Sequence, residues 1–173
     1  MMKTPSIRSA ALLGVVFCIV MMAVALGLEH IGGFEPCPLC VFQRVAVIAT
    51  GLVLLIAAIH NPASRGGKVV YGIFGLLTVG TGAFIAGRHV WLQSLPADEV
   101  PTCGPGLDYM IDVLPMQEVV AMVLTGSGEC ADIDFSLLGL SLPAWTLIGF
   151  AVLLLIPLRM IVLARQRAML FSQ

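Results

Sequence analysis

Four long apolar segments, separated by polar ones, constrain this 173-residue chain more than any other feature. A helix that crosses a bilayer needs about 20 mostly apolar residues, and four segments meet this requirement, at about 10–28, 41–59, 69–86 and 142–158. Charged residues make up only 11% of the chain, against roughly 25% in soluble domains. The sequence therefore predicts an all-α membrane protein whose residues 1–173 form one four-helix transmembrane domain.

The charged residues divide between the two sides of this four-span arrangement. All ten acidic residues fall on one side. Seven of the nine basic residues fall on the opposite side, and the two exceptions are Arg44 and Arg88. Loops that carry Lys and Arg remain in the cytoplasm, so we expect both termini to be cytoplasmic. The first apolar run, of about 19 residues, is longer than the 7–15 residues of a signal-peptide core, so we expect it to remain as a membrane anchor.

Two segments are then expected on the outer side of the membrane, at 29–40 and 88–141. The longer one contains an apolar run at 115–124 that predicts a short helix, which either lies on the membrane surface or packs on the outer end of the bundle. Cysteines that face an oxidising compartment are expected to form disulfides. Four of the five cysteines fall in these outer segments, namely Cys37, Cys40, Cys103 and Cys130.

The segment Cys37-Pro38-Leu39-Cys40 stands where the short outer segment meets the second span. Proline is favoured at the first position of a helix, so Cys37 is expected to be the N-cap and Cys40 to lie in the first turn. The positive end of the helix dipole favours a thiolate there, and the thiolate is the reactive form of cysteine. Arg44 follows Cys40 by four residues and lies on the same helix face. An ionisable residue within a span indicates a functional site, with snorkelling to the interface as the alternative.

The spacing of the cysteines bears on how they pair. The C-x-x-C spacing favours a disulfide between Cys37 and Cys40, which leaves Cys103 with Cys130, although four cysteines allow three connectivities. A short loop gains little stability from cross-linking, so a redox-active pair is favoured over a structural one. A four-cysteine zinc site is disfavoured because Cys103 and Cys130 form no second C-x-x-C unit, and we expect no metal.

Other features of the spans indicate packing. Thr78, Gly82 and Ala86 recur at intervals of four along the third span and predict close contact with another helix. Cys18 lies in the middle of the first span, where a cysteine acts as a small hydrophobic residue. His89 follows the third span, and by position alone a histidine at the outer surface is expected to be solvated.

Together these motifs resemble the DsbB family of disulfide bond formation proteins over essentially the whole chain. The resemblance rests on Cys37-Pro38-Leu39-Cys40-Val41-Phe42-Gln43-Arg44, on Arg88-His89 and on Cys103. It continues through Gly128-Glu129-Cys130-Ala131, and through Leu138-Gly139-Leu140 and Pro143-Ala144-Trp145 before the last span.

The resemblance implies a bacterial inner-membrane enzyme whose redox cysteines face the periplasm. Such an enzyme reoxidises a periplasmic dithiol oxidase of the DsbA type and passes the electrons to ubiquinone, or to menaquinone without oxygen. Carried over to this chain, Cys103 would take the attack of the partner's thiolate, and Cys130 would be the disulfide mate of Cys103.

The resemblance also assigns residues to the quinone end of this transfer. Cys37 would exchange with the outer pair, Cys40 would contact the quinone, and Arg44 and His89 would border the quinone ring. Two other interpretations remain. A thiol–quinone enzyme of the vitamin K epoxide reductase type also has a four-helix core, but it places its C-x-x-C near the last core helix. A membrane scaffold with structural disulfides and no catalytic role is the other interpretation.

Overall fold

The computed structural model describes residues 6–170 except 97, 103, 105 and 134, with side chains described as far as 166. Within this part of the chain, a 3₁₀ turn at Gly128–Cys130 and a short hairpin, β1 (Ser136–Leu137) and β2 (Leu140–Ser141), accompany the helices. The α-helices are α1 (Ile7–His30), α2 (Pro38–His60), α3 (Arg65–Gln93), α4 (Leu107–Val113), α5 (Met116–Thr125) and α6 (Leu142–Leu170).

Four of these helices form a bundle. α1, α2, α3 and the Leu142–Gln166 part of α6 are each long and apolar enough to cross a membrane. α2 packs between α1 and α3, and α6 packs against α3 and, less extensively, α1. Large apolar side chains still point outward, among them Leu13 and Ile59, which are 65% and 74% exposed. Outward apolar side chains suit a lipid surface, and the predicted all-α, four-span membrane bundle is confirmed.

The helices extend beyond the apolar runs from which they were predicted. α3 continues to Gln93, so residues 88–93 of the outer segment expected at 88–141 are helical. In the first outer segment, expected at 29–40, α1 ends at His30 and α2 begins at Pro38, so 31–37 connect the two helices. An apolar run marks the part of a helix that lies in hydrocarbon, whereas backbone hydrogen bonding continues into the aqueous interface. Arg88 and His89 are therefore helical.

Short polar residues fix where the spans begin and end. The Ser6 hydroxyl accepts the backbone N–H of Ser9 at 3.1 Å, and the Ser64 hydroxyl accepts that of Gly67 at 3.1 Å. Such N-caps satisfy donors that lack a partner in the first turn. Asn61 ends α2 in the left-handed region, with φ of 45°, a conformation that asparagine tolerates better than most residues.

Small residues on α3 allow α6 to approach closely. A Cβ atom placed on Gly82 would lie 2.2 Å from the Phe150 ring, so only glycine fits there. Ala86 is fully buried, and the Thr78 hydroxyl donates to the Gly75 carbonyl oxygen at 3.2 Å. The predicted close contact of the third span with another helix is confirmed at Gly82.

The longer outer segment is anchored by an apolar core of its own. α5 confirms the short helix predicted at 115–124, and it buries Val119 and Val123 while Met116 stays 62% exposed. The predicted helix thus packs on the outer end of the bundle and leaves its other face free. We call the set that it joins the outer cluster, which consists of Leu39, Ile85, Leu92, Met110, Val119, Val123 and Cys130.

α4 and the β-hairpin were not predicted from the sequence. The two residues at the hairpin turn, Leu138 and Gly139, both have positive φ, at 55° and 79°, as a two-residue turn of type I′ requires. The indole N–H of Trp145 donates to the Leu137 carbonyl oxygen at 3.1 Å. This bond ties the hairpin to the first turn of α6.

Candidate functional site

Cys37 and Cys40 lie at the N-terminal end of α2, as predicted. Cys37 is the N-cap, Pro38 is the first helical residue, and the backbone N–H of Cys40 donates to Cys37 Sγ at 3.4 Å. Both thiols are free, with the two Sγ atoms 3.2 Å apart. A disulfide bond is about 2.05 Å long, so a small side-chain rotation brings the two sulfurs to bonding distance.

His89 lies beside both of these cysteines. Its Nε2 is 3.8 Å from Cys37 Sγ, and its Nδ1 is 4.0 Å from Cys40 Sγ. His89 is only 2% exposed, so the expectation of a solvated side chain is wrong. The histidine is buried because α3 continues past the apolar run and the outer segment covers its end.

Gln43 is a site residue that the sequence analysis missed. Its side-chain amide lies 3.1 Å from His89 Nδ1, and the residue is 4% exposed. The available signal was its position, because Leu39, Gln43 and Val47 are spaced by four on one helix face, and the other two are apolar and buried. A buried amide on an apolar face normally has a hydrogen-bond partner, and here the partner is the imidazole.

Cys130 approaches the same cluster from the outer segment. Its Sγ, Cys37 Sγ and an imidazole nitrogen of His89 all lie within 4.8 Å of one another. Cys130 is a free thiol and only 1% exposed. The hydrogen bond between the Cys37 and Cys130 side chains, together with burial, raises the pKa of the Cys130 thiol. In this arrangement Cys130 remains protonated.

Cys103, the remaining predicted site residue, lies outside the described residues. Thr102 and Gly104 line a groove that also includes Cys130 and Ser127. The disulfides expected from the spacing are not formed among the described cysteines, since Cys37, Cys40 and Cys130 are all free. The pairing of Cys103 with Cys130 stays a prediction.

Arg44 has the partner that its depth in the membrane requires. Its guanidinium forms an ion pair with the carboxylate of Glu29, at the outer end of α1, and also donates to the Ala25 carbonyl oxygen at 3.4 Å. Arg44 is therefore paired, and the alternative that it only snorkels to the interface without a partner is wrong. Glu29 was counted in the sequence analysis only as an outer charge, because nothing local indicates that α1 brings it to α2.

A cavity lies beside Cys40, lined by residues of α1, α2, α3, α6 and the outer segments. It measures about 110 Å³, several times the roughly 10–15 Å³ that one water requires. Phe34 and Phe135 both line it and meet edge to face, with ring centroids 5.7 Å apart. Apolar walls with a few convergent polar groups are typical of small-molecule sites. The polar or reactive lining includes Cys37, Cys40, Gln43, Arg44 and His89, and the apolar lining includes Met21, Met22, Val47 and Phe135.

Arg88 holds the outer segment against α3. Its Nε donates to the Leu124 carbonyl oxygen at 3.1 Å and its Nη2 to that of Thr125 at 2.8 Å. These two carbonyls end α5, where a helix has unsatisfied acceptors and partial negative charge. Gly126 follows Thr125 with φ of 89°. It lies so close to Leu92 that a Cβ added at Gly126 would be 2.4 Å from a methyl carbon of Leu92. The 3₁₀ turn that carries Cys130 is thereby fixed over Cys37.

The arrangement provides a path between thiols. Cys130 lies beside Cys37, Cys37 lies beside Cys40, and Cys40 lines the cavity. Thiol–disulfide exchange requires one sulfur to attack another, and each neighbouring pair here is close enough after small rotations. Cys18 is separate, buried in the bundle core next to Gly51 of α2.

Comparison with known proteins gives a consistent result. The family model described as "Disulfide bond formation protein DsbB" matches residues 7–160. A disulfide bond formation protein B of Chromohalobacter salexigens is 55% identical over 90% of this chain and 91% of its own length. Proteins of the same name from Acinetobacter baumannii and Saccharophagus degradans are 54% and 47% identical, over 87% and 89% of this chain and 88% and 92% of their own lengths. The chain therefore belongs to the DsbB family of disulfide bond formation proteins.

Proposed function

We propose that this membrane disulfide oxidoreductase reoxidises a periplasmic dithiol oxidase of the DsbA type and passes the electrons to a membrane quinone. The observation that carries the proposal is the contact series from Cys130 through Cys37 to Cys40 at the edge of a cavity with apolar walls. A soluble partner reaches the outer segment, and a lipid-soluble acceptor reaches the cavity. Neither substrate easily meets both ends, so two cysteine pairs serve as a relay.

Each cysteine then has one step. The partner's thiolate attacks Cys103 of a Cys103–Cys130 disulfide, and a mixed disulfide forms while Cys130 is released as a thiol. The second thiol of the partner resolves that bond, so the partner gains a disulfide and the outer pair becomes a dithiol. The outer dithiol reduces the Cys37–Cys40 disulfide by the same kind of exchange. Two electrons and two protons have then moved from the partner to Cys37 and Cys40.

The cavity residues fit a quinone ring. Ubiquinone, or menaquinone without oxygen, supplies an acceptor for two electrons and two protons when bound. Arg44 supplies N–H donors for a carbonyl oxygen and is itself held in place by Glu29. His89 lies within 4.0 Å of the Cys40 sulfur, where it orients that side chain, while Met21 and Met22 supply apolar surface to the cavity wall.

The energetics require a strong acceptor. DsbA is one of the most oxidising thiol proteins, with a potential near −120 mV, so a cellular thiol buffer cannot reoxidise it. About 30 mV corresponds to 1.4 kcal/mol for a two-electron couple. A quinone of higher potential drives the overall transfer even when exchange between the two cysteine pairs is close to thermoneutral.

Purified full-length protein, mixed with reduced DsbA and a short-chain quinone, tests the proposal through the fall in quinone absorbance. We expect turnover in the wild type, its loss in Cys40→Ser, and its retention in the matched control Cys18→Ala. A DsbA that lacks its resolving cysteine should become covalently linked to Cys103, as mass spectrometry of the adduct will show. A catalytically inert protein would support the scaffold interpretation, and linkage at Cys37 or Cys40 would contradict the two-pair relay.

A further inference from the structure

Three ligand atoms of kinds that zinc prefers converge at the outer end of the bundle. Cys37 Sγ, Cys130 Sγ and an imidazole nitrogen of His89 lie within 4.8 Å of one another. They come from three separate elements, the N-cap of α2, the 3₁₀ turn and α3. Cys130 and His89 are almost fully buried, unlike the exposed side chains that bind metal ions adventitiously.

The distances match a tetrahedral zinc site after small movements. Bonds of about 2.3 Å to sulfur and 2.0–2.1 Å to nitrogen place tetrahedral ligand atoms roughly 3.5–3.8 Å apart. Cys37 Sγ and His89 Nε2 are already 3.8 Å apart. Cys40 Sγ lies 3.2 Å from Cys37 Sγ and 4.0 Å from His89 Nδ1 but outside the three mutually close ligand atoms, so its side chain must rotate toward the ion to become a fourth ligand. Cys130 needs to move by no more than about 1 Å, which a rotation of its side chain supplies.

Gln43 supplies the support that a metal-bound histidine needs. A ligating histidine donates its other ring N–H to an acceptor, which fixes the tautomer and the ring orientation. Here the Gln43 side-chain amide lies 3.1 Å from His89 Nδ1. In the structure the amide nitrogen of Gln43 is the atom nearest Nδ1; a half-turn of the amide group exchanges it for the oxygen at almost no change in shape, and Nδ1–H then donates to Gln43. The lone pair on Nε2 then faces Cys37.

We propose that the fully reduced protein binds one Zn²⁺ ion through Cys37, His89 and Cys130, with Cys40 as the fourth ligand. The cysteine spacing argued against a four-cysteine site, but this ligand set replaces one cysteine with a histidine that only the fold reveals. Each thiol that ligates releases one proton, and no sulfur changes oxidation state. A Cys37–Cys40 disulfide removes two ligands, so binding is confined to the reduced state. If the proposed function holds, bound zinc keeps the reduced enzyme out of turnover.

Metal binding by the full-length protein in detergent micelles tests the site without a quinone or partner oxidase. The thiols are reduced, the reductant and quinone are removed, and the protein is titrated anaerobically with Zn²⁺ or Co²⁺. We expect one tightly held equivalent, thiolate-to-cobalt charge-transfer absorption and the intense visible bands of tetrahedral Co²⁺. X-ray absorption of the zinc form should show sulfur together with nitrogen ligands. Because no turnover is measured, this test fails or succeeds independently of the quinone reaction.

Variants identify the ligands. His89→Ala and Cys130→Ser should weaken binding at least tenfold, while Gln43→Leu should weaken it by about 10- to 100-fold, as loss of a supporting hydrogen bond does. Gln43→Glu should restore affinity because its carboxylate also accepts the Nδ1 proton. His60→Ala is the matched control, since His60 bonds to Tyr71 at the other end of the bundle.

Two results would overturn the proposal. One is that the reduced wild type retains no zinc equivalent, or that its zinc has only oxygen ligands. The other is that a His89→Ala/Cys130→Ser double variant binds zinc as tightly as the wild type, which would reveal an adventitious ion only. If either variant fails to fold, the ligand count from the wild-type absorption spectrum decides the question.

Discussion

Removing the Arg88 side chain should weaken the docking of the outer segment on the bundle, so that Cys130 is exposed more often. The guanidinium donates to two carbonyl oxygens at the end of α5. Hydrogen bonds to a charged group contribute about 1.5–3 kcal/mol when buried, but one of these two is exposed and is worth much less. The contact of Arg88 with the Trp91 ring, 4.1 Å from its centroid, lies within α3 and persists when α5 leaves. We therefore expect Arg88→Ala to weaken docking by about 1–2 kcal/mol.

Alkylation of Cys130 measures this docking. Cys130 is 1% exposed, so a thiol reagent labels it only in the open state, and the rate follows the open population. A loss of about 1–2 kcal/mol corresponds to a roughly 5- to 30-fold faster reaction. The assay follows the Cys130 peptide of the reduced protein by mass spectrometry at constant pH. Cys18, buried in the bundle core, serves as an internal reference that should remain slow.

Two further variants make the interpretation specific. Arg88→Lys keeps the charge but loses the forked donor geometry, so its rate should fall between those of the wild type and Arg88→Ala. Arg65→Ala removes an arginine from the opposite end of the same helix and should leave Cys130 labelling unchanged. If Arg88→Ala labels Cys130 within twofold of the wild-type rate while Cys18 remains protected, the guanidinium does not hold the segment.

Three more outcomes follow from individual contacts. Gly82→Ala should lower the free energy of unfolding by about 1–3 kcal/mol, because the added methyl group meets Phe150 of α6. Gly80→Ala, whose methyl group has open space around it, should not lower it. Thermal melting of the two variants in detergent compares them. Glu29→Gln removes the ionic partner of Arg44 and should raise the apparent KM for a short-chain quinone several-fold with little change in melting temperature. An unchanged KM would separate this ion pair from the cavity's function. Because the pKa of Cys130 is raised in the docked state, docking is fully stable below the free-thiol pKa of about 8.5 and weakens above it. The rate of Cys130 labelling should therefore keep rising above pH 8.5. A rate that levels off there, as it does for an exposed thiol, would contradict the expectation that docking weakens with rising pH.

Local features of the sequence were sufficient to predict the four spans and the N-cap at Cys37. A span requires only an apolar run of sufficient length, and a cap depends on residues within one turn of each other. α5 was predicted for the same reason. The hairpin was not, because strands of two residues are too short to show alternation, although Leu138-Gly139 marks its turn.

The convergence of the site depended on information that no local pattern contains. His89 was expected in solvent, and its burial follows from the extension of α3 and from the cover that the outer segment provides. Glu29 reaches Arg44 because α1 and α2 lie side by side, and Gln43 reaches His89 because α2 faces α3. Each contact joins residues on different helices, so it is set by how the helices rotate and where they end.

The position of Cys130 is determined by apolar packing more than by the chemistry of its sulfur. Val119 and Val123 of α5 bury themselves with Leu39 and Leu92 of the bundle, and Cys130 belongs to the same outer cluster. Burying side chains of this size stabilises docking by about 1.5–3 kcal/mol each before entropic costs. Docking holds Cys130 beside Cys37 and away from solvent, whereas the proposed function requires a soluble partner to reach the outer segment from solvent. If the proposed function holds, the balance between docked and open segments sets both encounters. A packing change in the outer cluster should then shift that balance without altering any cysteine.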